Sequence, residues 1–230
     1  MNIQGYQKLT LLDFPGKTAA TVFCGGCNLR CPFCHNASLV LTPREGENKE
    51  EEVLSYLEKR KGILDGVCIT GGEPLLQPDL TDFAEKVKKM GYSVKLDTNG
   101  GDPERLKRVL ATGLVDMVAM DVKSAPESYS AACGKEVDVT RFLESIRILQ
   151  TGTVPYEFRT TAVKGIHREE DFLSIATLLA GEEKYFLQSF VDSGNVLTGG
   201  CSAFSPEEMK KILRIVRTKI PRAALRGVEE

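Results

Sequence analysis

The sequence predicts an α/β fold in which six parallel strands and their crossover helices form a partial barrel with a small N-terminal extension. Three observations support this prediction. Short β-rich runs alternate with stretches of helical spacing. The helical stretches carry start and stop residues. Polar and cysteine residues follow the strands, where barrel enzymes place their functional groups. Alternation of strand and helix is typical of a parallel sheet, and right-handed crossovers curl such a sheet towards a barrel.

The predicted strands cover residues 18–23, 66–70, 93–97, 117–121, 156–162 and 184–190. The predicted helices cover residues 49–64, 78–90, 103–112, 139–150, 169–179 and 206–218. The last helix has the clearest start, because Ser205 can cap it and Pro206 suits its first position. Gly91, Gly113 and Gly152 stand where helices are expected to stop.

The whole chain, residues 1–230, is predicted to form one domain. Residues 1–16 read as the small extension ahead of the first barrel strand, for which a β-hairpin is the expected form. Residues 41–49 are rich in Pro, Glu, Gly and Asn and are predicted to form a loop. The sequence shows no internal repeat and no linker.

The composition is that of an ordinary globular protein, with 42% hydrophobic and 27% charged residues. Thirty basic and 32 acidic side chains leave a net charge of -2, which does not indicate a nucleic-acid partner. No apolar stretch approaches the ~18 residues of a membrane span, and the first ten residues do not resemble a signal peptide. We therefore expect a cytoplasmic protein without a membrane partner.

Seven cysteines in a cytoplasmic chain require an explanation other than structural disulfides. Cys27, Cys31 and Cys34 have the spacing C-x3-C-x2-C, which lets one loop direct three thiolates to one compact metal centre. An iron–sulfur cube held by three cysteines would keep one iron open. A closed zinc site with Cys24 as the fourth ligand is the alternative. Cys68, Cys133 and Cys201 are scattered and are expected to be ordinary packed or loop residues.

Polar residues also follow the next three predicted strands, so all of these groups should meet at one rim of the sheet. They are Gly71, Gly72, Glu73, Asp97, Thr98, Asp121 and Lys123. Each has a simpler structural interpretation as well. The glycines and Glu73 could form a turn that opens a helix, the two aspartates could be helix caps, and Lys123 could be a solvated charge.

Taken together, these motifs resemble those of the radical S-adenosylmethionine enzymes. The resemblance rests on the three-cysteine loop followed by Ile69-Thr70-Gly71-Gly72-Glu73-Pro74-Leu75-Leu76. The segments 13–16, 27–36, 97–100 and 120–123 are further similar to the activating enzymes of glycyl radical enzymes, and above all to those of anaerobic ribonucleoside-triphosphate reductase. The resemblance covers about residues 9–190, most of the chain.

The resemblance implies that Cys27, Cys31 and Cys34 ligate a [4Fe–4S] cluster whose open iron binds S-adenosylmethionine. It places Gly71, Gly72 and Glu73 beside the ammonium group of that cofactor, with the Glu73 carboxylate accepting its hydrogen bonds. A single cluster is expected, because the sequence has no further cysteine-rich insert.

The same resemblance places Asp97, Thr98 and Asp121 near the cofactor carboxylate, with Lys123 close by and a monovalent cation between the carboxylates. Arg159 on the fifth predicted strand would contact the ribose or carboxylate of the cofactor, or form a structural ion pair. Gln188 on the sixth would hydrogen-bond adenine or ribose. Pyruvate formate-lyase activating enzymes have a histidine there, so Gln188 argues against pyruvate formate-lyase as partner.

The two histidines receive structural interpretations. His35 is expected to orient the cysteine loop through a hydrogen bond, and His167 is expected in a surface turn.

The resemblance implies an enzyme that cleaves S-adenosylmethionine reductively and removes a hydrogen atom from a glycine of a partner enzyme. That partner would be anaerobic ribonucleoside-triphosphate reductase, and reduced flavodoxin or ferredoxin would donate the electron. Two alternatives stay open at this point: a radical S-adenosylmethionine enzyme acting on a small molecule, and a zinc-stabilised binding protein.

Overall fold

The computed structural model describes residues 1–41, 49–192 and 194–228. The loop predicted at 41–49 lies outside the described residues apart from its two ends. In the described part of the chain, eight strands form one sheet and follow each other in sequence order. They are Ile3–Thr10 (β1), Ala19–Cys24 (β2), Gly66–Gly71 (β3), Ser93–Thr98 (β4), Met117–Asp121 (β5), Tyr156–Ala162 (β6), Tyr185–Ser189 (β7) and Ala224–Arg226 (β8).

This sheet confirms the predicted α/β class and the parallel, partial-barrel architecture. β1 runs antiparallel to β2, and every later pair of neighbours is parallel. The six predicted strands are β2 to β7, and each observed end lies within one residue of its predicted position. The two edge strands were not among them. β8 has only three residues, too few for a periodic pattern.

The N-terminal extension contributes one strand to the sheet. β1 forms a hairpin with β2 rather than within residues 1–16, and the register joins Ile3 to Cys24 and Thr10 to Ala19. Gly16 turns the connecting segment with a φ of 74°, a conformation that glycine adopts readily. The extension is therefore the first strand of the barrel sheet.

Eight α-helices connect or flank the strands in the described parts of the chain. They are Ala37–Leu41 (α1), Glu50–Glu58 (α2), Leu80–Lys89 (α3), Pro103–Ala111 (α4), Tyr129–Cys133 (α5), Val139–Thr151 (α6), Glu169–Leu178 (α7) and Pro206–Arg217 (α8). The six predicted helices correspond to α2, α3, α4, α6, α7 and α8. α2 ends six residues early, because Gly62 has a φ of 76° in the turn that follows it.

The core lies between the sheet and its helices. Central strands are buried on both faces, as expected of a parallel sheet covered by helices. Within the described residues, β1 pairs only with β2 and β8 only with β7, so the sheet stays open between its first and last strands. None of the helices described combines the length and the apolar character that a membrane span requires.

Candidate active site

A cavity of about 220 Å³ lies where the parallel strands end at their carboxyl termini. All of the predicted site residues except Glu73 line it. They are Cys27, Cys31, Cys34, Gly71, Gly72, Asp97, Thr98, Asp121, Lys123, Arg159 and Gln188. The structure thus brings together residues from five strands and the loop after β2, because the ends of parallel strands share one rim. Their individual ligand roles stay predictions.

The loop that carries the three cysteines is fixed to β3 by backbone contacts. Gly72 donates its N–H to the carbonyl of Cys24 at 2.9 Å, and Glu73 donates to the carbonyl of Gly26 at 2.8 Å. A Cβ atom at Gly72 would lie 1.9 Å from the Gly26 oxygen, and one at Gly71 would lie 2.4 Å from the Cys24 nitrogen. Only glycine permits this close approach of the two chains.

The donor set fits an iron–sulfur cube better than a closed zinc site. In the part of the chain that the structure describes, no three His, Cys, Asp or Glu side chains converge on a point that could hold one metal ion. A single zinc ion would need its thiolates about 2.3 Å from one centre, whereas a cube bonds each cysteine to a different iron. Cys24 is fully buried, faces the Met1 sulfur at 4.0 Å and does not line the cavity.

Glu73 lies beneath the cavity rather than in its wall. Its carboxylate accepts hydrogen bonds from the Leu75 N–H at 3.0 Å, the Thr98 hydroxyl at 2.7 Å and the Asn99 N–H at 2.7 Å. Burial raises the pKa of Glu73 to about 7, against these donors, which favour the ionised form. In this geometry the side chain joins the ends of β3 and β4. Its predicted contact with a cofactor ammonium group stays a prediction.

Charged side chains form a continuous network along the cavity wall. Arg159 donates from Nη1 to Asp97 and from Nε to Asp121, each at 3.0 Å. Lys95 pairs with the other oxygen of Asp97, and Lys123 pairs with Asp121 at 3.0 Å. These three cations and two anions leave one excess positive charge.

The network occupies the position for which we predicted a monovalent cation. The Arg159 guanidinium bridges the two carboxylates and relieves their repulsion, and the cation stays a prediction. Burial opposes ionisation of Asp121, but Arg159 and Lys123 outweigh it and hold the pKa of Asp121 below its usual range. Burial alone would lower the pKa of Lys123. The neighbouring Asp121 carboxylate has the larger effect, so the pKa of Lys123 is raised.

The three cysteines differ in their electrostatic surroundings. Burial raises the pKa of Cys27 to about 11 and also raises the pKa of Cys34. The pKa of Cys31 is lowered, chiefly by a hydrogen bond with the Cys133 thiol and further by Lys123. Thiolates are the metal-binding form of cysteine, so ligation at Cys27 and Cys34 would release protons.

Gln188 lies on β7 and lines the cavity. Its Oε1 atom is buried and has no hydrogen-bond partner among the described residues. An unpaired acceptor of this kind is costly unless a ligand donates to it. A nucleoside amine or hydroxyl is a donor of the required type, which fits the predicted role of Gln188.

Two residues that support the site were missed from the sequence. Asn99 donates to the Asn28 side chain at 2.8 Å and so ties the end of β4 to the cysteine loop. His167, predicted in a surface turn, is buried, and that prediction is wrong. Its Nδ1 accepts from the Val163 N–H at 3.1 Å, so Nε2 carries the proton donated to the Lys123 carbonyl at 2.7 Å. No local spacing reveals either contact.

His35 is exposed at the edge of the cavity, which it helps to line, and it stacks on Phe190 with ring centroids 5.4 Å apart. Burial lowers the pKa of His35, which favours the neutral ring at neutral pH. Its expected role in orienting the cysteine loop by a hydrogen bond stays a prediction.

Comparison with known protein families agrees with this geometry. The model of the radical SAM superfamily matches residues 21–179, well over half of the chain. The protein is a radical SAM enzyme. Membership of this superfamily implies a [4Fe–4S] cluster and S-adenosylmethionine as cofactors, and the cavity residues fit both.

Relatives within the radical SAM superfamily include activating enzymes. The chain is 34% identical over 196 residues to a Methanocaldococcus jannaschii protein named "Putative glycyl-radical enzyme activating enzyme", covering 82% of this chain and 79% of the relative. It is 33% identical over 139 residues to the pyruvate formate-lyase-activating enzyme of Clostridium pasteurianum, covering 58% of this chain and 57% of the relative.

Among solved structures, Streptococcus suis SuiB bound to S-adenosylmethionine superposes with a TM-score of 0.66. The superposition covers 88% of this chain and 48% of SuiB, with 16% sequence identity. At that identity the likeness establishes a shared radical SAM fold and nothing about substrate.

Replacing Cys27, Cys31 or Cys34 by Ala is expected to abolish cluster assembly, because each thiolate would hold a different iron. Iron and sulfide content after anaerobic reconstitution measures this, and each variant should fall to background. Cys24→Ala is the matched control and should keep a full cluster, since Cys24 faces Met1 outside the cavity. Loss of the cluster in Cys24→Ala would refute the ligand assignment.

Glu73→Gln is expected to lower the free energy of unfolding by about 1–3 kcal/mol, because the amide would turn a donor towards a buried backbone N–H. Denaturant unfolding of the cluster-free protein measures the change. Glu183→Gln is the control. Its ion pair with Arg222 is exposed on both sides and is worth about 0–1 kcal/mol. Equal effects of the two substitutions would contradict the positioning role of Glu73.

Proposed function

We propose that this protein is an activating enzyme that installs a radical on a glycine of a partner enzyme. Cys27, Cys31 and Cys34 hold the [4Fe–4S] cluster, and the adjoining part of the cavity holds S-adenosylmethionine. The observation that carries the proposal is the convergence of all but one of the predicted site residues on one cavity. Identity to a relative with that name over 82% of the chain adds support.

Bound together and supplied with one electron, the cluster and S-adenosylmethionine provide a 5′-deoxyadenosyl radical that removes a hydrogen atom from a glycine Cα. The protein supplies binding and electrostatics for this chemistry. The excess positive charge of the Lys95 to Lys123 network attracts the cofactor carboxylate. Gly71 and Gly72 offer backbone groups to its ammonium end, and Gln188 offers an acceptor to the nucleoside.

A protein loop suits the architecture as a substrate. The sheet is open between β1 and β8 in the described residues, and we propose that a partner segment approaches the cavity from this side. A small buried substrate would be enclosed better by a closed barrel. An extended segment can instead enter an open side and place its glycine at the cavity.

Anaerobic ribonucleoside-triphosphate reductase is the partner that we propose. The motif resemblance favours its activating proteins, and Gln188 stands where pyruvate formate-lyase activating enzymes have a histidine. The electron would come from reduced flavodoxin or ferredoxin.

We further propose that the chain forms one catalytic domain and that β1 belongs to the sheet of this domain. The superfamily match ends at residue 179, but β7 and β8 extend the same sheet by parallel pairing beyond it. Gln188 on β7 then belongs to the same cavity as the cysteines.

The reconstituted protein is expected to generate a glycyl radical on anaerobic ribonucleoside-triphosphate reductase in the presence of S-adenosylmethionine and dithionite. Electron paramagnetic resonance measures the radical, and 5′-deoxyadenosine should appear in equal amount. Cys31→Ala should lose both products completely.

Pyruvate formate-lyase serves as the comparison substrate and should acquire no radical. A radical on pyruvate formate-lyase alone would contradict the proposed partner but keep the activating function. Absence of a radical on both enzymes, with 5′-deoxyadenosine formed only when a small molecule is added, would contradict the activating function itself.

A further inference from the structure

Both backbone groups of Lys123 are bound by buried side chains from other parts of the fold. The Lys123 N–H donates to the Tyr129 hydroxyl at 3.3 Å, and the Lys123 carbonyl accepts from Nε2 of His167 at 2.7 Å. Tyr129 is the first residue of α5, and His167 lies in the segment between β6 and α7. Lys123 itself follows the end of β5 and belongs to no strand or helix. Loop residues are ordinarily mobile, so this double attachment is a distinct feature of Lys123.

The two side chains that bind Lys123 are themselves fixed by packing. The Tyr129 ring is buried, and its centroid lies 4.6 Å from that of Phe142 on α6. The buried His167 ring accepts the Val163 N–H at Nδ1 and packs against Phe172 on α7, with centroids 5.4 Å apart. The hydroxyl and the ring N–H that meet Lys123 therefore have little freedom to move.

The attachment of Lys123 continues that of the residue before it. The Val122 N–H donates to the Arg159 carbonyl at 2.8 Å, and the Val122 carbonyl accepts from the Thr160 hydroxyl at 2.8 Å. Both of these partners lie on β6. The strand β6 thus holds the chain as far as Val122, and Tyr129 and His167 hold it at Lys123.

The side chain of Lys123 gives this attachment a function. It lines the cavity, and its ammonium group pairs with Asp121 at 3.0 Å. Lysine carries its charge on a flexible stem of four carbons. A fixed main chain at Lys123 therefore limits the region of the cavity that the ammonium group can reach.

We propose that Tyr129 and His167 are positioning residues that hold the Lys123 ammonium group where it binds the carboxylate of S-adenosylmethionine. The inference rests on the proposed function in one respect, namely that S-adenosylmethionine lies beside Lys123 in this cavity. Neither Tyr129 nor His167 is among the residues that line the cavity. They act through Lys123, and loss of either hydrogen bond would loosen its main chain and weaken the binding of the carboxylate.

The test measures the dissociation constants of the reconstituted protein for two ligands by anaerobic equilibrium dialysis. The ligands are S-adenosylmethionine and decarboxylated S-adenosylmethionine, which differ by the carboxylate alone. Tyr129→Phe removes the hydroxyl and keeps the ring, so the affinity for S-adenosylmethionine should fall roughly 2- to 10-fold, the effect of one hydrogen bond. The affinity for the decarboxylated ligand should stay unchanged, which a general distortion of the site would not allow.

Variants of His167 provide a second arm, and a buried tyrosine provides the control. His167→Leu removes the donor to the Lys123 carbonyl and should weaken S-adenosylmethionine binding in the same selective way. His167→Gln keeps a side-chain N–H and should restore most of the affinity. Tyr92→Phe is the matched control, because Tyr92 is buried and donates to the Leu57 carbonyl at 2.7 Å but does not line the cavity. It should bind both ligands as the unchanged protein does.

A double-mutant cycle tests whether Tyr129 acts through Lys123. In a Lys123→Met protein, which lacks the ammonium group, adding Tyr129→Phe should cause no further loss of S-adenosylmethionine affinity. An undiminished further loss would overturn the inference, as would equal weakening of both ligands by Tyr129→Phe alone. The dialysis assay uses no partner enzyme. If the activation assay fails while the binding results hold, the proposed function is wrong and this inference stands.

Discussion

The Arg159 guanidinium, on β6, joins the carboxyl ends of β4 and β5, and the rest of the site depends on that junction. It bridges Asp97 on β4 and Asp121 on β5 from its own position on β6. Without it, the two half-buried carboxylates would repel each other. Arg159 bridges the two carboxylates, and Lys95 and Lys123 extend the network to opposite sides. The cavity wall is thereby rigid and slightly positive.

The cysteine loop is placed on this wall by close backbone contacts rather than by its own secondary structure. Gly71 and Gly72 let β3 approach the chain at Cys24 and Gly26 more closely than any side chain would allow. Asn99 holds the loop from the end of β4, and α5 holds it from the other side. Contacts from three separate elements thus hold the loop whose thiols would bind the cluster.

Much of this arrangement could be predicted from the sequence. β-rich runs mark the strands locally, and functional residues in such folds follow the carboxyl ends of the strands. Those two regularities sufficed to place the strands and to bring Cys27, Gly71 and Asp121 to one rim, whereas Gln188 was predicted from the family resemblance. The direction of the Glu73 carboxylate, the burial of His167 and the hydrogen bond from the Arg30 N–H to the Cys133 carbonyl could not be predicted from the sequence. Each depends on a partner far away in sequence, and no periodic spacing encodes such a pairing.

The central claim is that the three-cysteine loop binds an iron–sulfur cube with one iron open to S-adenosylmethionine. The most direct test is anaerobic reconstitution with iron and sulfide, reduction with dithionite, and electron paramagnetic resonance with and without S-adenosylmethionine. The account predicts a reduced [4Fe–4S] signal that changes shape when S-adenosylmethionine is added. Stoichiometric zinc with no iron signal would contradict it.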